Sequence, residues 1–426
     1  MKPEQPRGFS PCGIVPPYML EAIAQAGSPD QRRAAQETLQ LTEQFRAARR
    51  AAIAAIIPKA ELGAGAKHKD RKVHDTKNST SLPGTLVRSE GQASNGDVAV
   101  DEAYNYLGST FDLFWDIYQR NSIDNAGQSL LATVHFGNKY NNAFWDGTNM
   151  VFGDGDGTLF NRFTIAIDVI GHELTHGVTG ARLVYNSQPG ALNESVSDVF
   201  GSLVKQYALG QTAAAADWLI GAGLLTAAVK GVALRSMKAP GTAYNDPVLG
   251  KDPQPAHMSN YVNTSADNGG VHINSGIPNR AFYLTAMALG GNAWDRAGKI
   301  WYKTLFDSRL GSTAQFQAFA NLTVDNANTL YGAAVSNAVV QAWQQVGINV
   351  APIVAWQNNK SVLQTFTSPH SMNAWAYIQD VGWRKIQALT PDGVTNMFVL
   401  LVEAQAFGRK VTVYVDGSMI YQAYAV

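Results

Sequence analysis

Two histidines flank a glutamate at a spacing that can bind a metal ion. Residues 172–176 read His-Glu-Leu-Thr-His, inside a stretch whose apolar residues recur at helical spacing. Residues four apart lie on one helical face, so His172 and His176 can reach one ion, and zinc favours nitrogen ligands. Glu173, between them, is a candidate general base. The alternative is two core histidines satisfied by backbone groups, because five-residue matches also arise by chance.

A third ligand is expected from another element, because a catalytic zinc site uses three protein ligands and keeps one position for water. Asn193-Glu194-Ser195-Val196-Ser197-Asp198 opens a second helical pattern, and Glu194 is our predicted third ligand. Asp198, one turn further, is predicted to orient a zinc-binding histidine, and Asn193 to support the same site. Taken alone, Glu194 also fits a first-turn glutamate stabilised by the helix dipole.

A glycine-rich turn brings a carboxylate and a histidine together in residues 267–276, which read Asp-Asn-Gly-Gly-Val-His-Ile-Asn-Ser-Gly. Glycine permits close backbone approach, and Asp267 can orient and charge His272. The alternative is a surface turn with an incidental histidine.

The elements that must position these residues change character along the chain. Ser-Pro-Asp at 28–30 predicts the start of a helix that ends before Pro58. Residues 59–70 predict a linker, and a mixed segment with a helix over 100–119 and a strand near 133–136 follows. Helical patterns dominate from 165 to about 350. After Pro352, turns at Asp392-Gly393 and Asp416-Gly417 and an alternating run predict a small β-rich unit.

Composition narrows the function classes. The chain has 426 residues, 46% hydrophobic and 15% charged, which is typical of a globular protein. Its 33 basic and 33 acidic residues give no basic field for nucleic acid. No apolar run is long enough to span a bilayer, and the first residues lack the apolar stretch of a secretory signal. These features predict no nucleic-acid or membrane partner and a cytoplasmic location, with export by another route as the alternative.

These stretches, with Asn-Asn-Ala-Phe-Trp at 141–145 and Phe-Gly-Asp-Gly-Asp-Gly at 152–157, resemble the thermolysin family of zinc neutral peptidases over roughly residues 73–350. The protealysin-like branch, which has a short propeptide and no secretion signal, is the nearer match. The resemblance implies an α+β, two-lobed peptidase with a β-rich N-terminal lobe, a mostly α-helical C-terminal lobe and the active-site helix between them, here followed by a small β-rich appendix. The domains implied are 1–65, 66–180, 181–350 and 351–426.

The resemblance also implies the roles of individual residues. One zinc ion would be held by His172, His176 and Glu194, with Glu173 as general base and Tyr185 and His272 as donors to the oxyanion. Water activated by the zinc ion would attack the peptide carbonyl with help from Glu173. Substrate binding would fall to Asn142, the Ala143 backbone and Arg235, and an apolar pocket for the residue after the scissile bond to Phe160, Val169 and Leu234.

The chain departs from the family at its calcium sites. Family members such as thermolysin bind a calcium pair through a ring of carboxylates, of which Asp168 and Asp217 survive here. By position, the other ligands become Lys205, Leu219 and Ala222, and a carboxylate of a further calcium loop becomes Val232. Calcium takes about six to eight oxygen ligands. We therefore predict that the double calcium site is absent and that Lys205 pairs with Asp168 or Asp217 as a built-in cation.

The first 60 or so residues resemble the short propeptide of the protealysin-like branch, through Cys12-Gly13-Ile14-Val15-Pro16-Pro17-Tyr18-Met19. The lone cysteine, Cys12, can cap the open zinc position as a thiolate or pack as a small apolar residue. The Pro16-Pro17-Tyr18 segment can block the cleft without touching metal. Either arrangement makes the propeptide an intramolecular inhibitor.

Function after residue 350 is left open by the sequence. Five aromatic residues there fit a core, with a sugar- or protein-binding face as the alternative: Trp375, Tyr377, Trp383, Tyr414 and Tyr421. For the whole chain we predict a monomeric zinc endopeptidase that cleaves peptides or proteins before hydrophobic residues and is made as an autoprocessed precursor. The alternatives are a catalytically silent relative that binds protein or glycan through the last unit, and a metallo-hydrolase of non-peptide substrates.

Overall fold

The structure is a computed structural model, and it describes residues 13–53, 65–350, 354–370, 372–379, 381–387, 390–416 and 419–426. The chain divides into two compact units, residues 1–316 and 317–426. Cys12, and with it the prediction that it caps the metal, lies outside the described residues, as do residues 59–64 of the predicted linker.

The first unit begins with two helices, α1 (Pro17–Ala26) and α2 (Pro29–Ile53). The predicted helix start is confirmed: α2 opens at Pro29, and the Ser28 hydroxyl accepts from the Gln31 amide at 3.4 Å. Polar contacts tie α2 to the loop that precedes strand β4 of the sheet described next. Thr38 accepts from the Asn141 amide at 3.1 Å, and the hydroxyls of Thr42 and Tyr140 lie 3.0 Å apart.

A five-stranded sheet forms the β-rich part of this unit, with strand order β2-β1-β3-β5-β4. The strands are β1 (Arg71–Asp75), β2 (Thr85–Ser89), β3 (Leu130–Val134), β4 (Ala143–Trp145) and β5 (Asn149–Phe152). Helix α3 (Val98–Tyr118) packs on it, capped by Asp97, whose carboxylate accepts from the amides of Ala99 and Val100. Strand β4 is at one edge of the sheet, where a further peptide strand can pair with it.

The rest of the first unit is mostly helical, as predicted. Its helices are α4 (Ile167–Thr179), α5 (Ser187–Leu209), α6 (Asp267–Asn274), α7 (Gly276–Leu289) and α8 (Arg296–Leu305). Short strand pairs join them: β6 (Leu219–Ile220) with β7 (Arg235–Ser236), and β8 (Asn245–Asp246) with β9 (Gly250–Lys251). The glycine-rich turn opens α6 as expected, because residues 268–270 have positive φ.

His135 holds the loop after β3 between two carboxylates. Its Nδ1 lies 2.9 Å from Asp154 and its Nε2 3.1 Å from Asp97, the residue that caps α3. A hydrogen bond to Asp154 is the main cause that raises the pKa of His135 from 6.5 to about 9, against partial burial and with help from Asp97.

We predict that this imidazolium makes stability depend on pH. Because the pKa is raised in the folded state, the contribution is complete below about pH 6.5 and is lost as pH rises through about 9. The melting temperature of the wild type should fall as the pH rises through this window. In His135→Asn the melting temperature should depend less on pH. His370→Asn, at an exposed site, is the control. Parallel curves for the wild type and His135→Asn would contradict the assignment.

The described residues of the second unit form helices and a closed five-stranded barrel. The first two helices are α9 (Phe316–Tyr331), which begins at the last residue of the first unit, and α10 (Ala333–Gln345). The barrel comprises β10 (Val354–Thr367), β11 (Ala374–Ile378), β12 (Gly382–Ile386), β13 (Lys410–Asp416) and β14 (Met419–Ala425). Its order is β10-β11-β12-β14-β13, with β12 parallel to β14. With helix α11 (Pro391–Ala406) between the third and fourth strands, this is the arrangement of an OB-fold barrel.

Two predictions for this unit are wrong. Asp392-Gly393 does not form a turn between strands: it lies in the first turn of α11, where Thr390 caps the helix by accepting from the Gly393 amide. The five aromatic residues are not the core either. The core cluster is aliphatic, and the rings lie outside it: Trp383 and Tyr421 are 40% and 44% exposed, and Trp375, Tyr377 and Tyr414 are half-buried.

Candidate active site

The site is built where α4 and α5 pack side by side. Glycines allow their close approach: a Cβ at Gly201 of α5 would meet the Asp168 carbonyl oxygen at 2.4 Å, and one at Gly171 of α4 would lie 3.0 Å from the Gly201 Cα. The close contact brings the buried polar faces of the two helices together. His172 and His176 lie on α4 and Glu194 on α5, with exposures of 0%, 6% and 0%.

These three side chains bring their ligand atoms within 4.8 Å of one another. The two Nε2 atoms of His172 and His176 are 3.1 Å apart. The Glu194 oxygens lie 3.6 Å from the first and 3.5 Å from the second. Zinc–ligand bonds of about 2.0–2.2 Å in tetrahedral geometry separate ligands by roughly 3.3–3.5 Å. The residues therefore fit a zinc ion without rearrangement.

The hydrogen-bond partners of the two histidines determine which nitrogen of each ring faces the neighbouring ring. His172 Nδ1 lies 2.8 Å from Asp198, and His176 Nδ1 lies 2.8 Å from the Asn193 side-chain oxygen. Both partners accept, so each Nδ1 carries its proton and each Nε2 directs a lone pair at the other. Two lone pairs 3.1 Å apart repel. A cation between them removes this repulsion.

Charge and burial favour the ligand forms of these groups. Burial is the main cause that lowers the pKa of His176 to about 4, so its imidazole is neutral. Burial acts to raise the pKa of Glu194, but nearby basic groups, His272 first and Arg235 among them, outweigh it and lower this pKa to about 2. A neutral imidazole and a carboxylate are the forms that bind zinc.

Glu173 lies on α4 between the two histidines and is fully buried. One of its carboxylate oxygens accepts from the backbone amide of Trp145, at the end of edge strand β4, at 3.1 Å. The carboxylate is thereby held between the histidine cluster and the strand.

Tyr185 and His272 meet at the far side of Glu194. The Tyr185 hydroxyl donates to Glu194 at 2.6 Å and lies 3.4 Å from His272 Nε2. Asp267 orients the histidine, with one oxygen 2.6 Å from His272 Nδ1 and the other accepting from the His272 amide. Burial acts to lower the pKa of His272, but Asp267 and Glu194 outweigh it and raise this pKa.

Residues 13–15, ahead of α1, run antiparallel to strand β4 and are joined to it by a single bridge and a backbone hydrogen bond. The Ile14 amide donates to the Ala143 carbonyl at 3.0 Å, and Gly13 forms a bridge with Phe144. The Asn142 side chain accepts from the Val15 amide at 2.9 Å and donates to the Val15 carbonyl at 3.1 Å.

Arg235 binds the same segment from the other side. Its guanidinium donates to the Ile14 carbonyl at 3.0 Å and forms two bonds with Asp198, at 2.7 and 2.9 Å. Asp198 therefore links Arg235 to His172. The Ile14 side chain is fully buried, and so are the three residues expected to form an apolar pocket, Phe160, Val169 and Leu234, each at most 1% exposed.

Comparison with known proteins shows which family the chain belongs to. The family description "Thermolysin metallopeptidase, catalytic domain" matches residues 61–180, "Thermolysin metallopeptidase, alpha-helical domain" matches 181–348, and "Protealysin propeptide" matches 12–51. An "Extracellular metalloprotease" of Pectobacterium carotovorum subsp. carotovorum is 55% identical over 80% of this chain and 97% of its own length. The chain belongs to the thermolysin family of metallopeptidases.

A solved structure extends the match to the fold. The "Precursor of Protealysin, Metalloproteinase from Serratia proteamaculans" is 56% identical, covers 79% of this chain and 99% of that chain, and superposes with a TM-score of 0.72. This thermolysin-family chain therefore has the predicted two-lobed fold. It is a zinc metalloprotease with a propeptide, and neither the silent relative nor the non-peptide hydrolase is supported.

The predicted cytoplasmic location of this thermolysin-family protein is wrong. The Pectobacterium relative and a second, 46% identical "Extracellular minor metalloprotease" of Serratia marcescens, are both named as extracellular. The prediction relied on the lack of an apolar stretch in the first residues, which does not decide where a protein resides. None of the described helices is long and apolar enough to cross a membrane.

Lys205 lies where the thermolysin-family resemblance implied a calcium ligand. Its ammonium group is 2.7 Å from an oxygen of Asp217 and 3.2 Å from one of Asp168. It pairs with both carboxylates, where the sequence predicted one or the other. Asp168 is 1% exposed and also accepts from the Gly221 amide at 3.1 Å.

Three contacts of this metallopeptidase site were missed in the sequence. They are the Trp145 amide on Glu173, the Ser197 hydroxyl 3.1 Å from His176 Nδ1, and the Asn279 amide group that donates to Asp198 at 2.8 Å. Ser197 lies within the predicted helical stretch that contains Glu194, so its position in the sequence could have indicated this contact. Asn279 lies on α7, more than 80 residues from its partner, and no local pattern points to it.

Proposed function

We propose that this metalloprotease is an endopeptidase that cleaves peptide bonds before hydrophobic residues. One observation carries the proposal: a peptide segment pairs with strand β4 beside Glu173 and the histidine cluster, with the buried Ile14 side chain at its centre. A substrate is proposed to lie in the same way. The apolar pocket for the residue after the scissile bond is assigned to Phe160, Val169 and Leu234.

The metal is proposed to be held by His172, His176 and Glu194, with Asp198 and Asn193 fixing the two imidazoles. Zinc held there would supply Lewis-acid chemistry: it would polarise the peptide carbonyl and lower the pKa of water from about 15.7 to near 7. Glu173 takes a proton from the attacking water and passes it to the leaving amine. Its buried position, anchored by the Trp145 amide, keeps the carboxylate aimed at the cluster.

Tyr185 and His272 are proposed to stabilise the negative charge that develops on the carbonyl oxygen. Losing one such donor typically raises the barrier by about 2.7–4 kcal/mol. Asp267 positions His272. Asn142, the Ala143 carbonyl and Arg235 are proposed to hold the backbone of the substrate, since they already make these bonds to residues 14 and 15.

Zinc removal and peptide comparison test this proposal together. Stripping with a chelator should abolish cleavage, and added zinc should restore both activity and one zinc per chain, measured by mass spectrometry. A peptide with leucine after the scissile bond should be cut at least about a hundredfold faster than the same peptide with aspartate there. The reason is that an apolar pocket would have to bury the aspartate carboxylate without its hydration shell. His172→Ala should lose the bound zinc. Full activity of the zinc-free protein would contradict the proposal.

We infer that residues 13–18 act as the intramolecular inhibitor in the precursor. They occupy the strand position proposed for substrate, and Pro16, Pro17 and the half-buried Tyr18 continue from it into α1. Burial raises the pKa of Tyr18 well above its usual value, with Tyr244, Asp267 and Asp252 adding to the effect, so its hydroxyl stays neutral. Removal of the segment that ends near residue 65 would free the strand.

Gly13 is predicted to be essential to this inhibition. An ideal Cβ at Gly13 would lie 2.5 Å from the Asn142 side-chain nitrogen, which is itself fixed by two bonds to Val15. Overpacking typically costs about 1–3 kcal/mol, so Gly13→Val should raise the activity of the uncut precursor roughly 5–150-fold. Gly311→Val, where a Cβ meets nothing within 4 Å, is the control. An unchanged precursor activity would show that residues 13–15 are not the inhibitor.

The absence of a double calcium site is proposed on the basis of Lys205. Its ammonium group occupies the space between Asp168 and Asp217, and a divalent cation there would face a like charge. The chain is further proposed to act as a monomer on peptide or protein substrates, without nucleic-acid or membrane partners.

A further inference from the structure

The barrel of the second unit carries aromatic side chains that its own core does not use. The core cluster of the barrel and α11 is built from aliphatic residues and alanines. Aromatic rings are costly on a surface because each keeps a large apolar area in water. A group of exposed rings on the strands that bind ligands in barrels of this kind is therefore a candidate binding surface.

Strands β10, β11 and β12 align these rings on one outer face. The cross-strand register pairs Phe366 with Trp375 and Trp375 with Lys385, and pairs Tyr377 with Trp383. Directly paired residues of antiparallel strands share a face. Phe366 and Trp383 are 51% and 40% exposed. The face thus holds two adjacent cross-strand rows of rings, which we name the β11–β12 face.

Polar side chains lie among the rings. Gln364 is paired with Tyr377 and is exposed, and Lys385 ends the first row. The Trp375 ring is fixed by a hydrogen bond from its indole nitrogen to the Asn373 side chain at 2.9 Å. Rings held in place beside amide and amine groups match the two surfaces of a sugar, whose C–H faces are apolar and whose edges are hydroxyls.

The charge of this unit favours a sugar over a nucleic acid as the ligand of the β11–β12 face. Residues 351–426 contain five Lys or Arg and four Asp or Glu, a net charge of +1, and the β11–β12 face contributes a single cation among its paired residues. Single-stranded nucleic acids are bound by aromatic rings within a strongly basic groove. A face with rings and almost no net charge is complementary to a neutral polymer.

We propose that the β11–β12 face binds a neutral polysaccharide by stacking sugar rings on Tyr377 and Trp383 and on the neighbouring pair Phe366 and Trp375. The second and third strands of OB-fold barrels present a face suited to oligosaccharides and oligonucleotides, and β11 and β12 are those strands here. The metalloprotease is then held at glycan-bearing material through its last unit. This inference stands independently of the proposed peptidase mechanism.

Co-sedimentation of the full-length chain with insoluble cellulose, chitin and starch tests the proposal, with Glu173→Gln introduced throughout to prevent self-digestion. Binding to at least one of the three is expected. The double variant Tyr377→Ala/Trp383→Ala should bind at least about tenfold more weakly. The matched control is Trp356→Ala/Tyr424→Ala, which also removes two neighbouring rings, with centroids 5.5 Å apart, but on strands β10 and β14. This variant should bind normally. Trp383→Phe, which keeps a ring, should retain most of the binding.

Three outcomes would overturn the proposal. They are no sedimentation with any of the three polysaccharides, an equal loss in both double variants, and tighter binding to a single-stranded oligonucleotide than to the polysaccharide. Thermal unfolding of each variant, followed by far-ultraviolet circular dichroism, separates lost binding from a lost barrel fold.

Discussion

Replacing Glu173 by glutamine should slow peptide hydrolysis by about 10²- to 10⁴-fold, the usual contribution of a positioned general base. The amide is nearly the same size as the carboxylate but cannot take a proton from water. It can still fill the buried position beside the Trp145 amide, so the fold should be unchanged.

The readout that separates chemistry from structure is metal content. Glu173 is not one of the three residues whose ligand atoms converge, so the variant should retain one zinc per chain and melt at the temperature of the wild type. Glu102→Gln is a control at a carboxylate that pairs with Arg162 away from the cluster, and it should keep its activity. A Glu173→Gln protein as active as the wild type would remove Glu173 from the mechanism.

Lys205→Ala should destabilise the protein by about 3–5 kcal/mol, the usual cost of removing one partner of a buried ion pair. The ammonium group is 13% exposed and lies between Asp168 and Asp217. Without it, Asp168 is left as a buried carboxylate that accepts from the Gly221 amide but has lost its cationic partner. Chemical denaturation measures the effect.

Two comparisons complete the Lys205 test. Lys303→Ala, at an exposed helical site, should change the free energy of unfolding by less than about 0.5 kcal/mol. Millimolar calcium should leave the melting temperature of the wild type unchanged, since Lys205 already supplies the positive charge. A clear rise with calcium would mean that a calcium site exists after all.

The two histidines proposed to bind the metal were predictable because their spacing is local. His172 and His176 are one helical turn apart, and that spacing alone places both on one face. The prediction of Glu194 depended on the expectation that a third ligand comes from another helix. The close approach that delivers it depends on Gly171 and Gly201, which no motif marks.

The errors arose where the sequence pattern allows two arrangements. Alternation in a strand shows that two faces differ, but not which face is the core. In β13 the core face is Val411, Val413 and Val415, so Tyr414 lies outside. Asp392-Gly393 fits a hairpin turn and a first helical turn equally well, and the Thr390 cap decides for the helix.

Intact mass of the zinc-loaded full-length chain, followed over time beside Glu173→Gln, decides whether this protein is a self-processing zinc peptidase. We expect the wild type to lose its N-terminal segment near residues 59–70 and to gain peptidase activity as it does so, while Glu173→Gln stays whole. Equal cleavage of both proteins, or a wild type that stays whole and inactive with zinc bound, would contradict a self-processing zinc peptidase.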